Sequence, residues 1–167
     1  MIRIGVCDDV SCYVETLGNF VMDWAKIRKI NVKLEKFKSG EEVLLNLEAK
    51  GDFAAVFMDI ELDGINGMET ALKLRKADRF VSIVFVSGHE HYFKKLFQVY
   101  PFQFVEKPIA KQKIYEVLDK VAREQSLYNE SFYFQYRWVT FHINLKQVLY
   151  FASERRMVRI LMEDGRE

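Results

Sequence analysis

Cysteine is scarce in this chain: Cys7 and Cys12 are the two in 167 residues. Two thiols are too few for a disulfide framework, and their spacing matches no metal-ligand or redox motif. Both are expected to be reduced. Long apolar runs are missing too. None reaches the ~20 residues a bilayer-spanning helix needs. Met1 leads straight into an apolar stretch, Ile2–Cys7, and no signal peptide is expected. The expected location is cytoplasmic, with no membrane partner. Charge of one sign is also lacking: 25 Lys and Arg face 24 Asp and Glu, for a net charge of +1. From Ser126 onward six basic residues face five acidic ones. A self-sufficient DNA-binding domain usually carries a stronger basic footprint. No internal repeat or low-complexity segment is present.

What the chain has is hydrophobic residues, 50% of the total, in alternating patterns. Strands are predicted over 2–7, 32–37, 54–58, 82–86 and 103–106. Helices are predicted over 11–30, capped by Ser11, and over 41–50, where Ser39 and Glu42 form a capping box. Further helices are predicted over 68–76, 92–99 and 111–125. Val14, Leu17, Val21, Trp24 and Ala25 fall at helical spacing in the first, and Ile114, Val117, Leu118 and Val121 in the last. Five strands alternating with five helices predict an α/β fold, a five-stranded doubly wound parallel sheet with right-handed crossovers.

Asp8-Asp9, Asp59 and Lys107-Pro108 each end a predicted strand. In a parallel sheet the strand ends of one kind share one edge, so these residues meet. Carboxylates meeting there need a divalent cation, an ammonium partner or both. That is the layout of a magnesium-dependent phosphoryl-acceptor site. Each landmark alone is ordinary: a lone Asp is usually a cap or turn former, Ser87-Gly88 a turn, Lys-Pro a loop. Their joint order is specific.

With Ser87-Gly88 and Phe104, these positions resemble the receiver domain of two-component response regulators over residues 1–125. The resemblance implies that Asp59 is the phosphoacceptor. Asp9 and Asp59 then bind Mg2+ with the backbone carbonyl of Glu61, and Asp8 acts partly through water. Lys107 pairs first with Asp59 and then with the phosphoryl oxygens. Ser87 hydrogen-bonds the phosphoryl group, beside which Gly88 leaves room, and Phe104 rotates inward as Ser87 moves; a plain core role for Phe104 stays open. A cis bond before Pro108 aims the lysine inward. The protein is then not an enzyme, beyond slow self-hydrolysis of its aspartyl phosphate. Some residues depart from the family pattern. The loop from Glu61 to Gly64 lacks the common Met-Pro, Glu61 is acidic beside the site, and His89 follows Ser87 closely. Val10 stands where a further acid is frequent.

After Ser126 the character changes to period-two stretches rich in aromatic and β-branched residues, read as three antiparallel strands. The stretch from Tyr100 to Ile109 is similar to receivers that precede a LytTR-type DNA-binding domain, and residues 132–167 resemble the first part of that domain, after a linker at 126–131. The β-rich second half of that fold is not in this sequence. Arg137, Lys146, Arg155, Arg156 and Arg159 suit either phosphate contacts or a solvated mixed-charge face. The resemblance implies a sensor histidine kinase as phosphodonor. It also implies a homodimer through the face of the fourth predicted helix, the fifth strand and the last helix, with DNA as partner of the complete effector. One alternative is a stand-alone receiver whose tail is a protein-interaction or dimerisation module. A phosphatase with an aspartyl-phosphate intermediate fits poorly, because such enzymes place two acids around one residue on the first strand.

Overall fold

The computed structural model describes residues 1–88, 99–128, 131–136, 138–155 and 157–165. Its first nine elements are β1 (Ile2–Cys7), α1 (Ser11–Arg28), β2 (Val32–Phe37), α2 (Gly40–Lys50), β3 (Ala55–Met58), α3 (Gly67–Ala77), β4 (Ser82–Ser87), β5 (Gln103–Glu106) and α4 (Lys111–Tyr128). The strands form one sheet in the order β2-β1-β3-β4-β5, with every pair parallel. The predicted doubly wound sheet is therefore present. The helix predicted over 92–99 falls, except for Val99, outside the described residues.

Strand side chains alternate between two buried faces, which is why the central strands are apolar throughout. On one face Cys7, Val56, Met58, Ile83 and Phe85 join Val43 and Leu47 of α2 and Ala71 and Leu74 of α3 in one cluster. The alternate strand residues Ile4, Val6, Phe57 and Val84 are fully buried too, outside that cluster, as are Leu17, Val21 and Trp24 of α1 and Ile114, Leu118 and Val121 of α4. Polar contacts hold α1 against α4. Trp24 Nε1 donates to Asp119 at 2.9 Å, and Arg28 donates two bonds to the same carboxylate.

Three local details differ from the sequence expectation. Ser11 is the first helical residue of α1, and Val10 is its N-cap, without a side-chain cap bond. Instead Asp8 accepts the Val10 N–H at 3.0 Å. Ser39 caps α2 by accepting the Glu42 N–H, but the Glu42 carboxylate accepts from the Lys38 N–H rather than from that of Ser39. The last helix continues to Tyr128 through part of the expected linker, because nothing between Lys111 and Tyr128 is Gly or Pro.

The chain divides into two compact units, Met1–Val121 and Ala122–Glu167. Among its described residues the second contains four antiparallel strands rather than three. The run read as one strand is a hairpin of β6 (Ser131–Tyr136) and β7 (Val139–Asn144), turned beside Trp138 at φ 69°. Trp138 adopts the left-handed region that the aromatic pattern does not announce. A second hairpin pairs β8 (Val148–Glu154) with β9 (Met157–Met162). Phe134 stacks on Phe141 across the first, with ring centroids 4.9 Å apart. A cleft of about 540 Å3 in this unit is lined by Phe134, Phe141, Ile143, Met157, Ile160 and Met162, with Gln147, Glu154, Val158 and Arg159.

Candidate functional site

Sheet register builds the site. Cys7 lies opposite Met58, so the residues that follow them, Asp8 and Asp59, emerge side by side at the same edge. The Asp59 N–H donates to the Cys7 carbonyl at 3.0 Å, extending the ladder one step past the strands. On β4, the next strand after β3, Ser87 lies opposite Glu106 of β5, and the Lys107 N–H donates to the Ser87 carbonyl at 3.1 Å. The Lys107–Pro108 peptide bond is cis.

The side chains converge on one ammonium. Lys107 Nζ donates to Asp8 Oδ2 at 2.8 Å and to Asp59 Oδ2 at 2.6 Å. It also lies 3.9 Å from the centre of the Tyr13 ring. The other carboxylate oxygens meet backbone amides: Asp8 Oδ1 accepts from Val10, and Asp59 Oδ1 accepts from Ile60 at 2.6 Å and Glu61 at 3.4 Å. Asp9 joins them, and one oxygen from each of Asp8, Asp9 and Asp59 lies within 4.8 Å of the others. Asp8 and Asp59 are buried and Asp9 is half-buried.

Three carboxylates and one ammonium leave excess negative charge in a partly desolvated site. Burial pushes the Asp8 carboxyl above its ordinary range, against the hydrogen bonds from Lys107 and Val10 and the charge of Lys107. Burial would lower Lys107, but its bonds to Asp59 and Asp8 outweigh that, and the ammonium is held above its ordinary value. The Cys7 thiol beneath is pushed up to about 12, first by burial and then by the charges of Asp8, Glu42, Asp59 and Asp9. It is an inert core thiol at neutral pH. An all-oxygen donor set with surplus negative charge suits a hard divalent cation.

The remaining predicted residues stand at varying distance from this cluster. Ser87 is buried at the end of β4, with Gly88 following it. Phe104 is half-buried on β5 and packs against the cluster formed with α2 and α3. Glu61 is exposed and joins the site through its backbone N–H. His89 lies outside the described residues, as do Arg137 and Arg156. Arg159 pairs with Glu154 at 2.8 Å, and Arg155 is exposed at the β8–β9 turn with φ 57°.

Two contributors were not singled out from the sequence. Tyr13 lies in the first turn of α1, just after the Asp8-Asp9 pair, a placement that is readable once α1 is placed. Gly67 opens α3 beneath the acidic loop, and a Cβ there would run into the backbone carbonyl of Asp59. Its N–H donates to the Ile60 carbonyl at 2.9 Å. Only the folded loop reveals that approach.

A response regulator receiver domain model matches residues 4–119. The chain belongs to the response regulator receiver domain family. This receiver is 27% identical over 120 residues to the sensory transduction protein LytT of Bacillus subtilis, covering 72% of this chain and 48% of that protein. It is 30% identical over 95 residues to the sensory transduction protein LytR of Staphylococcus saprophyticus, covering 56% and 37%. The chain thus spans less than half the length of these curated relatives. Among solved structures it resembles the response regulator TrrA of Thermotoga maritima in complex with Mg2+ and beryllofluoride, at 26% identity and a TM-score of 0.63, covering 72% of this chain and 99% of that one. A receiver domain from Clostridium thermocellum shares the fold at 15% identity and a TM-score of 0.66, covering 76% and 98%. Among the described residues no helix is long and apolar enough to cross a membrane.

Proposed function

We propose that this receiver is the switch of a two-component response regulator, phosphorylated on Asp59 by a sensor histidine kinase. The observation that carries this is the meeting of Asp8, Asp9 and Asp59 with the ammonium of Lys107 at one sheet edge. An oxygen of Asp59 attacks the phosphorus of a phosphohistidine. The new P–O bond forms as the P–N bond breaks, and the imidazole nitrogen leaves with the electron pair and takes up a proton. Such transfer depends mostly on positioning and on neutralising charge.

Asp8, Asp9 and Asp59, with the Glu61 carbonyl, would hold Mg2+, which when bound supplies charge neutralisation at the phosphoryl oxygens. Lys107 places its ammonium on the product, and Ser87 donates its hydroxyl to it. The small side of Gly88 leaves room there, and Phe104 turns inward behind Ser87. Asp59 serves as an acceptor, not as a turnover catalyst, apart from slow hydrolysis of its own acyl phosphate. The phosphorylated receiver acts in the cytoplasm, pairs with a second copy through the face that includes β5 and α4, and drives transcription through a LytTR-type output. The hairpins of the second unit and the LytT and LytR relatives support that output. A second reading, a receiver whose tail is a protein-interaction module, draws on the exposed Val139, Phe141, Tyr150, Met157 and Val158 of the same hairpins.

The test uses a small-molecule phosphodonor with Mg2+ and intact-mass measurement. Wild type should gain one phosphoryl group that alkali or hydroxylamine removes, and Asp59→Asn should gain none. A phosphoryl group that persists in Asp59→Asn would sink the assignment. Mobility shift on DNA, with and without phosphorylation, separates the two outputs.

A further inference from the structure

Lysine carries its charge on a flexible four-carbon stem with three rotatable donors, so a single ion pair fixes it poorly. Here two donors reach Asp8 and Asp59, and the ammonium also lies 3.9 Å from the centre of the Tyr13 ring. That is well within the range of a cation–π contact, which strengthens when the cation is shielded from water. The Lys107 side chain is only 12% exposed, so the contact is shielded. The two carboxylate contacts cannot survive the switch unchanged. Once Asp59 carries a phosphoryl group, the oxygen that now accepts from Lys107 has a different charge and different neighbours. The ring of Tyr13 is the contact that the reaction leaves chemically untouched.

We propose that Tyr13 is a positioning residue for Lys107, whose aromatic face keeps the ammonium at the site while its carboxylate partners are taken up by metal and phosphoryl chemistry. This rests on the reading of Asp59 as phosphoacceptor. Tyr13 touches neither phosphorus nor metal in this account, and it acts through Lys107. The face of the ring matters, and the hydroxyl does not.

Two variants of the full chain, Tyr13→Phe and Tyr13→Leu, separate face from hydroxyl, and two measurements read them. The first needs no metal: an ammonium above a ring gives its ε-methylene protons an upfield ring-current shift in NMR spectra of the metal-free protein. Wild type and Tyr13→Phe should show it on Lys107, and Tyr13→Leu should not. The second is beryllofluoride affinity in Mg2+. Tyr13→Phe should match wild type, and Tyr13→Leu should bind about 3- to 30-fold more weakly. Mg2+ affinity alone should not weaken in Tyr13→Leu, whereas a merely misfolded site would lose both and lower the unfolding midpoint. Wild-type beryllofluoride affinity in Tyr13→Leu overturns the proposal, as does a Tyr13→Phe variant that falls with Tyr13→Leu. No beryllofluoride binding by wild type overturns the phosphoacceptor reading and this proposal together. Binding by wild type without loss in Tyr13→Leu overturns this proposal alone.

Discussion

Asp8→Asn should make the metal-free protein more stable while weakening its metal site. Asp8 is fully buried and has two like-charged neighbours, Asp9 and Asp59, whose oxygens lie within 4.8 Å. At an effective dielectric of about 20, each such pair at that distance costs about 3.5 kcal/mol. The ion pair of Asp8 with Lys107 at 2.8 Å returns about 6 kcal/mol on the same scale. The pair energies nearly cancel, so the desolvation of a buried carboxylate decides the sign. Asparagine removes that cost, and its single side-chain oxygen can still accept from either Val10 N–H or Lys107, which now bond different oxygens of Asp8. The expected gain is roughly 1–3 kcal/mol, read as an increased urea midpoint in EDTA near neutral pH.

The pH dependence follows from the raised Asp8 carboxyl. The folded protein holds that proton more tightly than the unfolded chain does. Its stability therefore falls as pH rises from the ordinary carboxylate range of about 3.9 through the raised folded value. Above that value the cost is present in full, and below about 3.9 it is absent. The advantage of Asp8→Asn should accordingly vanish in acid. With Mg2+ at 100 times its dissociation constant, wild type gains about 2.7 kcal/mol and the order narrows or reverses. An Asp8→Asn variant that is less stable than wild type in EDTA at neutral pH would refute this reasoning.

Two further outcomes test the frame around the site. Gly67→Ala should cost more than about 2 kcal/mol and weaken Mg2+ binding, because its Cβ would displace the Asp59 carbonyl; urea unfolding and a Mg2+ titration check both, and wild-type behaviour would contradict the packing. Glu35→Gln should cost roughly 1–3 kcal/mol, since Glu35 is buried beside Arg3 at 3.3 Å, with Lys33 and Lys50 adding less from their exposed positions. Burial works to raise the Glu35 carboxyl, but hydrogen bonds from Arg3 and Lys33 and the charges of Arg3 and Lys50 hold it below its ordinary range. Its contribution is therefore present above about 4.3 and lost as pH falls through the folded value, and unfolding followed against pH should show a flatter acid limb in the variant.

The sheet was legible because its central strands are buried on both faces and read as continuous apolar runs between turn signals. The helices were legible from their apolar spacing, and the caps were less so. Ser11 was a plausible cap by residue type, but the Asp8 carboxylate accepts from the Val10 N–H at that turn. Among the described residues the tail holds one strand more than its pattern predicts. Its aromatic alternation runs unbroken through the turn, and a left-handed Trp138 gives no composition signal.

The order of Asp8, Asp9, Asp59, Ser87 and Lys107 along the chain by itself determined that acids and an ammonium would share one sheet edge. That follows because parallel strands put equivalent ends together. Only the tertiary structure decided how the charges are shared. Lys107 bridges Asp8 and Asp59 rather than pairing with one, Tyr13 lies against the ammonium, and Gly67 lets α3 approach the Asp59 backbone. Those contacts join residues whose spacing carries no period. They depend on side-chain reach and on the space left by close packing, which exist only once the sheet and its helices have met.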